Sequence, residues 1–196
     1  MDKGSLTLKL PRWIRRFVKE HSRMCYDPQE RMEWVVELAR ETLFRRSGGP
    51  FAAAIFDMET EHLVAAGVNM VTSLSCSVLH AEIVAIMAAQ QLFKDFDMTC
   101  SGSGRFQLVT SAEPCTMCLG AMVWSGVQSV ICGARDEDAR AIGFDEGPKP
   151  ADWIGELKRR GIEVIRDVRR DEAAQILAEY KTLGRKIYNS RRTGSD

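Results

Sequence analysis

The first long run of regularly spaced apolar residues begins just after a helix-start signal. Asp27 and Pro28 are residue types that commonly cap a helix and occupy its first turn. Apolar side chains then recur every three or four positions, at Met32, Val35, Val36, Leu38, Ala39 and Leu43. Because this spacing places them on one face of a helix, the pattern predicts a helix over residues 29–46.

Beyond this helix, short apolar runs alternate with helical patterns. The runs at 51–56 and 63–68 flank a polar turn, which predicts a hairpin. Further strands are predicted over 106–110, 129–132 and 161–167, and further helices over 80–93, 115–124 and 171–186. Strand–helix alternation after a leading hairpin is typical of an α/β protein. We therefore predict a three-layer α/β/α sandwich around a mixed five-stranded sheet.

Residues 1–28 precede this pattern and mix basic with aromatic side chains around Trp13 and Phe17. They are predicted to form an N-terminal extension, either a short helix held against the domain surface or an arm that binds a partner. Residues 29–196 are predicted to form one domain that ends in a helix and a tail. A chain of 196 residues is long enough for a single core of this kind.

Charge and composition narrow the classes of function. The 27 basic and 27 acidic residues give a formal net charge of zero, so the chain lacks the basic excess expected of a nucleic-acid-binding protein. This balance favours a small-molecule substrate. No run of 18 apolar residues predicts a membrane span, and the first ten residues do not resemble a signal peptide. We expect a cytoplasmic protein whose six cysteines are free thiols or metal ligands.

Two segments place metal-binding residue types at the starts of predicted helices. One contains His80, and the other contains Cys115 and Cys118 just after a proline. Cysteines three positions apart in a first helical turn face the same way, and the positive end of the helix favours thiolates. Three protein ligands leave one position of a tetrahedral zinc ion open, as in catalytic sites. The motifs therefore predict one zinc ion per subunit, bound by His80, Cys115 and Cys118.

Glu82, two residues beyond His80, is the predicted proton carrier. A carboxylate beside the open position can accept a proton from the water that zinc acidifies and deliver it to a ring nitrogen and then to the leaving amine. Alternatives stay open at this point. The cysteine pair could be a redox dithiol, and Cys76 or Cys132 could complete a structural zinc site. Glu82 favours catalysis, because a structural site needs no proton carrier.

Together, the His-x-Glu and Pro-Cys-x-x-Cys motifs match the known signature of zinc-dependent deaminases. Over residues 29–190 the chain resembles the cytidine deaminase superfamily. It is most similar to the guanine deaminase branch, whose bacterial members include enzymes that also act on the triazine ammeline. The segments that carry this resemblance are 49–53, 67–69, 80–82, 110–118 and 142–148. The resemblance implies a cytidine deaminase-like fold and a homodimer.

The resemblance also implies roles for residues near the zinc motifs. Asn69 would hydrogen-bond the edge of the purine ring, although an asparagine here could simply close a turn. The Ala81 backbone N–H would lie beside the open zinc position. Phe51 would stack on the base, unless it belongs to the core.

Three more residues are implied around the rim of the site. Glu146 would assist proton transfer to the substrate's amino group, Ser111 would help to shape the substrate site before the cysteines, and Tyr188 would contact substrate at the pocket mouth. The tail that carries Tyr188 would close its own active site or that of the partner subunit.

These inferences predict the hydrolytic deamination of a purine-type base. The expected reaction converts guanine to xanthine and ammonia, with ammeline as a further substrate. The alternatives are a tRNA adenosine deaminase, a deaminase of cytosine or another small heterocycle, and a zinc module without catalytic function. The zero net charge argues against the tRNA enzyme, since RNA binding relies on phosphate contacts.

Overall fold

A mixed sheet of five strands forms the middle layer of the computed structural model, which describes residues 8–100 and 104–189. The spatial order of the strands is β2-β1-β3-β4-β5. They are β1 (Ala52–Asp57), β2 (Leu63–Val68), β3 (Phe106–Ala112), β4 (Ser129–Ala134) and β5 (Glu163–Ile165). Strand β1 is antiparallel to β2 and β3, whereas the β3–β4 and β4–β5 pairs are parallel. The predicted mixed five-stranded sheet is confirmed.

Helices cover both faces of this sheet. Within the described residues they are α1 (Arg12–Glu20), α2 (Pro28–Arg45), α3 (Val71–Leu74), α4 (Ala81–Phe93), α5 (Thr116–Ser125), α6 (Asp136–Ile142), α7 (Trp153–Arg159) and α8 (Arg170–Thr182). Side chains of α1, α2 and α8 share one apolar cluster with the sheet, and side chains of α4, α5 and α7 share a second. The predicted three-layer sandwich is therefore confirmed.

The start of α2 shows why the sequence pattern located this helix well. The Asp27 side chain accepts a hydrogen bond from Glu30 N at 2.9 Å, and Pro28 occupies the first helical position. The cap satisfies one of the backbone N–H groups that a helix leaves free at its start. Arg46, in the left-handed conformation, ends the helix. Local chemistry thus fixes both ends close to the predicted bounds.

Other elements differ from their predicted lengths. Helix α8 ends at Thr182 rather than at 186, and β5 spans three residues instead of seven. The short helices α3, α6 and α7 were not predicted. Helix α3 buries no residue and α6 buries only Ala139, so neither shows a helical repeat of apolar residues. The sequence Ser-Gly-Ser-Gly also predicts a loop over 101–104, of which residues 101–103 lie outside the described residues. No helix in the described ranges is long and apolar enough to cross a bilayer.

Helix α1 packs its apolar face into the same core as α2. The Phe17 ring meets the Trp34 ring edge-on, with centroids 5.3 Å apart, and Trp34 Nε1 donates a hydrogen bond to His21 O at 2.9 Å. The buried Arg31 side chain donates from Nε to Cys25 O at 3.0 Å. These contacts join the described part of residues 1–28 to the rest of the molecule. The division of the chain at residue 28 stays a prediction, and 1–7 and 190–196 lie outside the described residues.

Candidate active site

The predicted site residues converge at one edge of the sheet. Because β1 is antiparallel to both of its neighbours, its start lies beside the ends of β2 and β3. Phe51 precedes β1, Asn69 follows β2, and Glu113 follows β3. Together with the starts of α4 and α5, these residues line a cavity of about 760 Å³. The strand directions thus gather segments that are far apart in the sequence.

The three predicted zinc ligands form one cluster. His80 and Cys115 are the residues immediately before α4 and α5, and Cys118 lies in the first turn of α5. Their ligand atoms all lie within 4.8 Å of one another, and Cys115 Sγ is 3.5 Å from His80 Nδ1. Zinc bonds of about 2.0–2.3 Å in a tetrahedron separate ligand atoms by roughly 3.3–3.8 Å, so this set fits zinc. Neither Cys76 nor Cys132 joins the cluster in the described part of the chain.

The surroundings of Cys115 favour its thiolate form. A hydrogen bond with Cys118, assisted by His80, lowers the pKa of Cys115 to about 4, against the opposing effect of burial. The same hydrogen bond, together with burial, raises the pKa of Cys118. Burial disfavours the charged form of His80, but the hydrogen bond with Cys115 and the charge of Glu82 outweigh it and raise the His80 pKa. Thiolate is the form of cysteine that binds metals.

Two buried carboxyl groups line the same cavity. Glu82 is 7% exposed and Glu146 is 8% exposed. Burial raises the pKa of Glu82, and the negative charge of Cys115 adds to the effect. Burial and the charge of Cys115 raise the pKa of Glu146 to about 8. A carboxyl group with a raised pKa can hold and release a proton near neutral pH, which is what general acid–base catalysis requires.

Asn69 is buried in the cavity wall with its amide orientation fixed. Its Oδ1 accepts hydrogen bonds from Gly49 N and Val71 N, each at 3.2 Å. Because Oδ1 already accepts two backbone hydrogen bonds, the Nδ2 group is the part of the amide left to donate a hydrogen bond. Asn69 therefore closes the turn after β2, and this leaves its Nδ2 group free to act as a donor; its contact with the purine edge stays a prediction.

Three aromatic rings form another part of the wall. Phe144 meets Phe51 at a centroid distance of 5.0 Å and Tyr188 at 5.1 Å, edge-on in both contacts. The tail thus brings Tyr188 to the cavity of its own chain. The Tyr188 hydroxyl is buried and has no hydrogen-bond partner among the described residues. Sequence reasoning missed Phe144 as a wall residue, because an isolated aromatic residue in a loop carries no periodic signal.

Ser111 and Ala81 are not among the residues that line the cavity. The buried Ser111 hydroxyl accepts a hydrogen bond from Ala52 N at 3.1 Å, so it holds β3 to the start of β1. The Ala81 side chain is fully buried in the second apolar cluster. Since Ala81 is the first residue of α4, its backbone N–H lacks an acceptor within the helix. The substrate contacts assigned to both residues stay predictions.

The chain is similar to known deaminases in both sequence and structure. Residues 26–134 match the family model described as the cytidine and deoxycytidylate deaminase zinc-binding region. The guanine deaminase of Bacillus subtilis is 37% identical over 116 residues, which are 57% of this chain and 67% of that protein. A solved structure of guanine deaminase from Nitrosomonas europaea is 43% identical, with a TM-score of 0.86 over 92% of this chain and 98% of the other. A structure of the protein NE0047 in complex with 2,6-diaminopurine is 44% identical, with a TM-score of 0.88 over 96% and 98%.

The family match covers more than half of the chain and contains every residue of the His/Cys/Cys cluster. The solved relatives extend the similarity over nearly the whole chain, at an identity well above that of a shared fold alone. The chain therefore belongs to the cytidine deaminase superfamily, in its guanine deaminase branch of enzymes that hydrolyse C–N bonds.

Proposed function

We propose that this enzyme hydrolyses guanine to xanthine and ammonia and that ammeline is a further substrate. The observation that carries the proposal is the joint placement of the His/Cys/Cys cluster, the Glu82 carboxyl group and the Asn69 amide around one cavity. The relatives support the choice of base, since the Bacillus subtilis and Nitrosomonas europaea proteins are guanine deaminases and NE0047 forms a complex with 2,6-diaminopurine.

One zinc ion per subunit, held by His80, Cys115 and Cys118, would supply acidified water at neutral pH. Glu82 accepts one proton from the attacking water and delivers it to a ring nitrogen of the base. It then takes up the proton of the hydroxyl group added to the ring carbon and passes it to the amine, which leaves as ammonia while the carbonyl forms. Its position in the first turn of α4, two residues after His80, suits this role, as does its burial. Glu146, on the opposite loop, assists the transfer to the amino group.

The remaining wall residues hold the base. Asn69 Nδ2 donates to an acceptor on the purine edge, because its oxygen is occupied by backbone N–H groups. Phe51 offers a ring face for stacking, with its position set by Phe144. Tyr188 closes the cavity, and its unpaired hydroxyl is available to the bound molecule. Both guanine and ammeline are flat and carry ring nitrogens beside the amino-bearing carbon.

The Asn69→Asp variant tests base recognition. It keeps an oxygen for Gly49 N and Val71 N, but replaces the donor with a second acceptor. Loss of one hydrogen bond at a buried site costs about 1–3 kcal/mol, so kcat/KM for guanine should fall roughly 5- to 150-fold. Ammonia release and zinc content are measured on the same preparations, and zinc content should not change.

The wild-type enzyme is assayed in parallel on guanine, ammeline, guanosine, cytosine and a tRNA anticodon stem-loop at one salt concentration. Guanine should be the best substrate, and the stem-loop should not react. Formation of inosine in the stem-loop with guanine untouched would overturn the choice of substrate and leave only the zinc chemistry. Equal turnover of guanine by Asn69→Asp would remove Asn69 from base recognition.

We also propose a homodimer formed through α5. The apolar residues of this helix, Met117, Leu119, Met122 and Trp124, suggest a dimer face, but Leu119 and Met122 are buried in the chain's own core and do not contribute to it. Trp124 is 80% exposed, and in the described part of the chain no atom outside the neighbouring backbone of α5 lies within 4 Å of a Cβ placed at Gly120. An exposed tryptophan beside an open glycine suits a helix–helix contact between subunits.

Light scattering at micromolar concentration should give the mass of a dimer for the wild type and that of a monomer for Trp124→Glu, which places a charge in the contact. The matched control is Phe96→Glu, at an equally exposed aromatic residue outside α5. A monomeric wild type would contradict the proposal.

A cytoplasmic location and a place in purine catabolism complete the proposed function, and cell fractionation tests the location.

A further inference from the structure

Lys149 is a nearly buried cation beneath the cysteine loop. Its side chain is 8% exposed, and its ammonium lies 5.0 Å from the centre of the Trp153 ring. Nζ donates a hydrogen bond to Pro114 O at 3.1 Å. Pro114 is the residue immediately before Cys115, so this hydrogen bond acts on the backbone that carries one sulfur of the cluster.

The segment that carries Lys149 also carries Glu146. Thr116 donates to Glu146 O from its backbone N at 3.1 Å and from Oγ1 at 3.3 Å. Gly147 adopts a φ of +70°, and a Cβ added there would lie 3.0 Å from Thr116 Oγ1. The loop of residues 146–149 is therefore tied to the loop of residues 114–116 at two points, one on each side of Cys115.

The carboxylates around Lys149 have other cationic partners. Lys149 Nζ lies 3.0 Å from Asp136 Oδ1 and 3.6 Å from Glu113 Oε2. Asp136 also pairs with Arg140, and Glu113 also pairs with Arg166. Loss of Lys149 would leave each carboxylate with an arginine, so the fold should survive. In the described residues, no arginine donates to Pro114 O, so the hydrogen bond to this carbonyl would be lost with Lys149.

We propose that Lys149 is a positioning residue that fixes the Cys115 sulfur relative to the Glu146 carboxyl group by tying their two loops together. This inference rests on the proposed function, in which Cys115 is a zinc ligand and Glu146 assists proton transfer. A lysine suits the position for two reasons. Its ammonium group donates a hydrogen bond to Pro114 O, and its charge is balanced by the nearby carboxylates and by the face of the Trp153 ring.

The test compares Lys149→Met with Lys158→Met, which removes the same charge from an exposed position on α7. The readouts are the rate of zinc release to a chelator, kcat and KM for guanine, and thermal stability. With the tie removed, zinc release should become at least about 10-fold faster and kcat should fall by at least about 10-fold, the scale of a lost contact behind a metal ligand. KM should change much less, and Lys158→Met should match the wild type. Lys149→Arg, which keeps a charged donor, should restore most of both losses.

The inference is overturned if Lys149→Met lowers only thermal stability, or if its zinc release and kcat match those of Lys158→Met. Should Lys149→Met fail to fold, the same measurements on Lys149→Gln decide, and unchanged zinc release there would also overturn it. Failure of the proposed function looks different, because then the wild type itself would hold no zinc or release no ammonia from guanine.

Discussion

The Glu82→Gln enzyme is expected to retain its fold and zinc but to lose at least about 100-fold in kcat, the usual scale for a positioned general acid–base group. Glutamine has nearly the same shape as glutamate, so it can occupy the buried position in the first turn of α4. It cannot accept and return a proton. In the proposed reaction the same carboxyl group serves more than one transfer, so its loss affects every proton-dependent step.

The structure explains why no other carboxyl group should replace Glu82. Glu146 lines the same cavity but belongs to the loop after α6, whereas Glu82 lies in the first turn of α4, two residues beyond His80. Single-turnover measurements with guanine, together with metal analysis, provide the test. Glu59→Gln, in an exposed turn, is the matched control and should behave as the wild type. Deamination at the normal rate by Glu82→Gln would show that the proton-carrier role is wrong.

Cys115→Ser should lose both zinc and activity. A serine hydroxyl stays protonated near neutral pH, whereas the hydrogen bond with Cys118 and the neighbouring His80 lower the pKa of Cys115 to about 4 and keep it a thiolate. The remaining pair, His80 and Cys118, supplies fewer ligands than the three of a catalytic zinc site. Zinc content below about one tenth of the wild-type value is expected, with activity reduced in proportion to zinc, since metal binding needs the deprotonated ligand.

The control for this variant is Cys100→Ser, because Cys100 is exposed and lies outside the cluster. It should keep full zinc content and full activity. Metal analysis by mass spectrometry and ammonia release are measured on each protein after dialysis against a chelator. Retention of zinc and activity in Cys115→Ser would remove Cys115 from the ligand set and, with it, the three-ligand description of the site.

Elements whose signals are local could be predicted from the sequence. The capping residue Asp27 and the apolar repeat after it gave the bounds of α2 to within one residue. Alternating strands and helices gave the sheet and the layers, since each helix must bury its apolar stripe on the sheet. The ligand cluster could also be predicted from the sequence. His80, Cys115 and Cys118 lie at helix starts, where the spacing of residues along the chain determines which way their side chains point.

Elements with little apolar surface of their own could not be predicted. Helix α6 buries a single residue, so its sequence carries no periodic signal, and its position depends on contacts with α8 and on the carboxylate of Asp138 bound to Arg170. Strand β5 is shorter than its apolar run because its pairing with β4 ends at Ile165. The length of such elements is decided by partners distant in the sequence.

The sequence alone determined the class of chemistry, because a metal site built at two helix starts is specified by residue types and spacings. Only the tertiary structure decided how each side chain is directed. The Asn69 amide is oriented by Gly49 N and Val71 N, and the Ser111 hydroxyl is bound to β1 and not to the cavity. The tail brings Tyr188 back to its own cavity, and Lys149 reaches Pro114 from 35 residues away. Hydrogen bonds and ring contacts between distant segments form only once the chain is folded, so local sequence patterns cannot predict them.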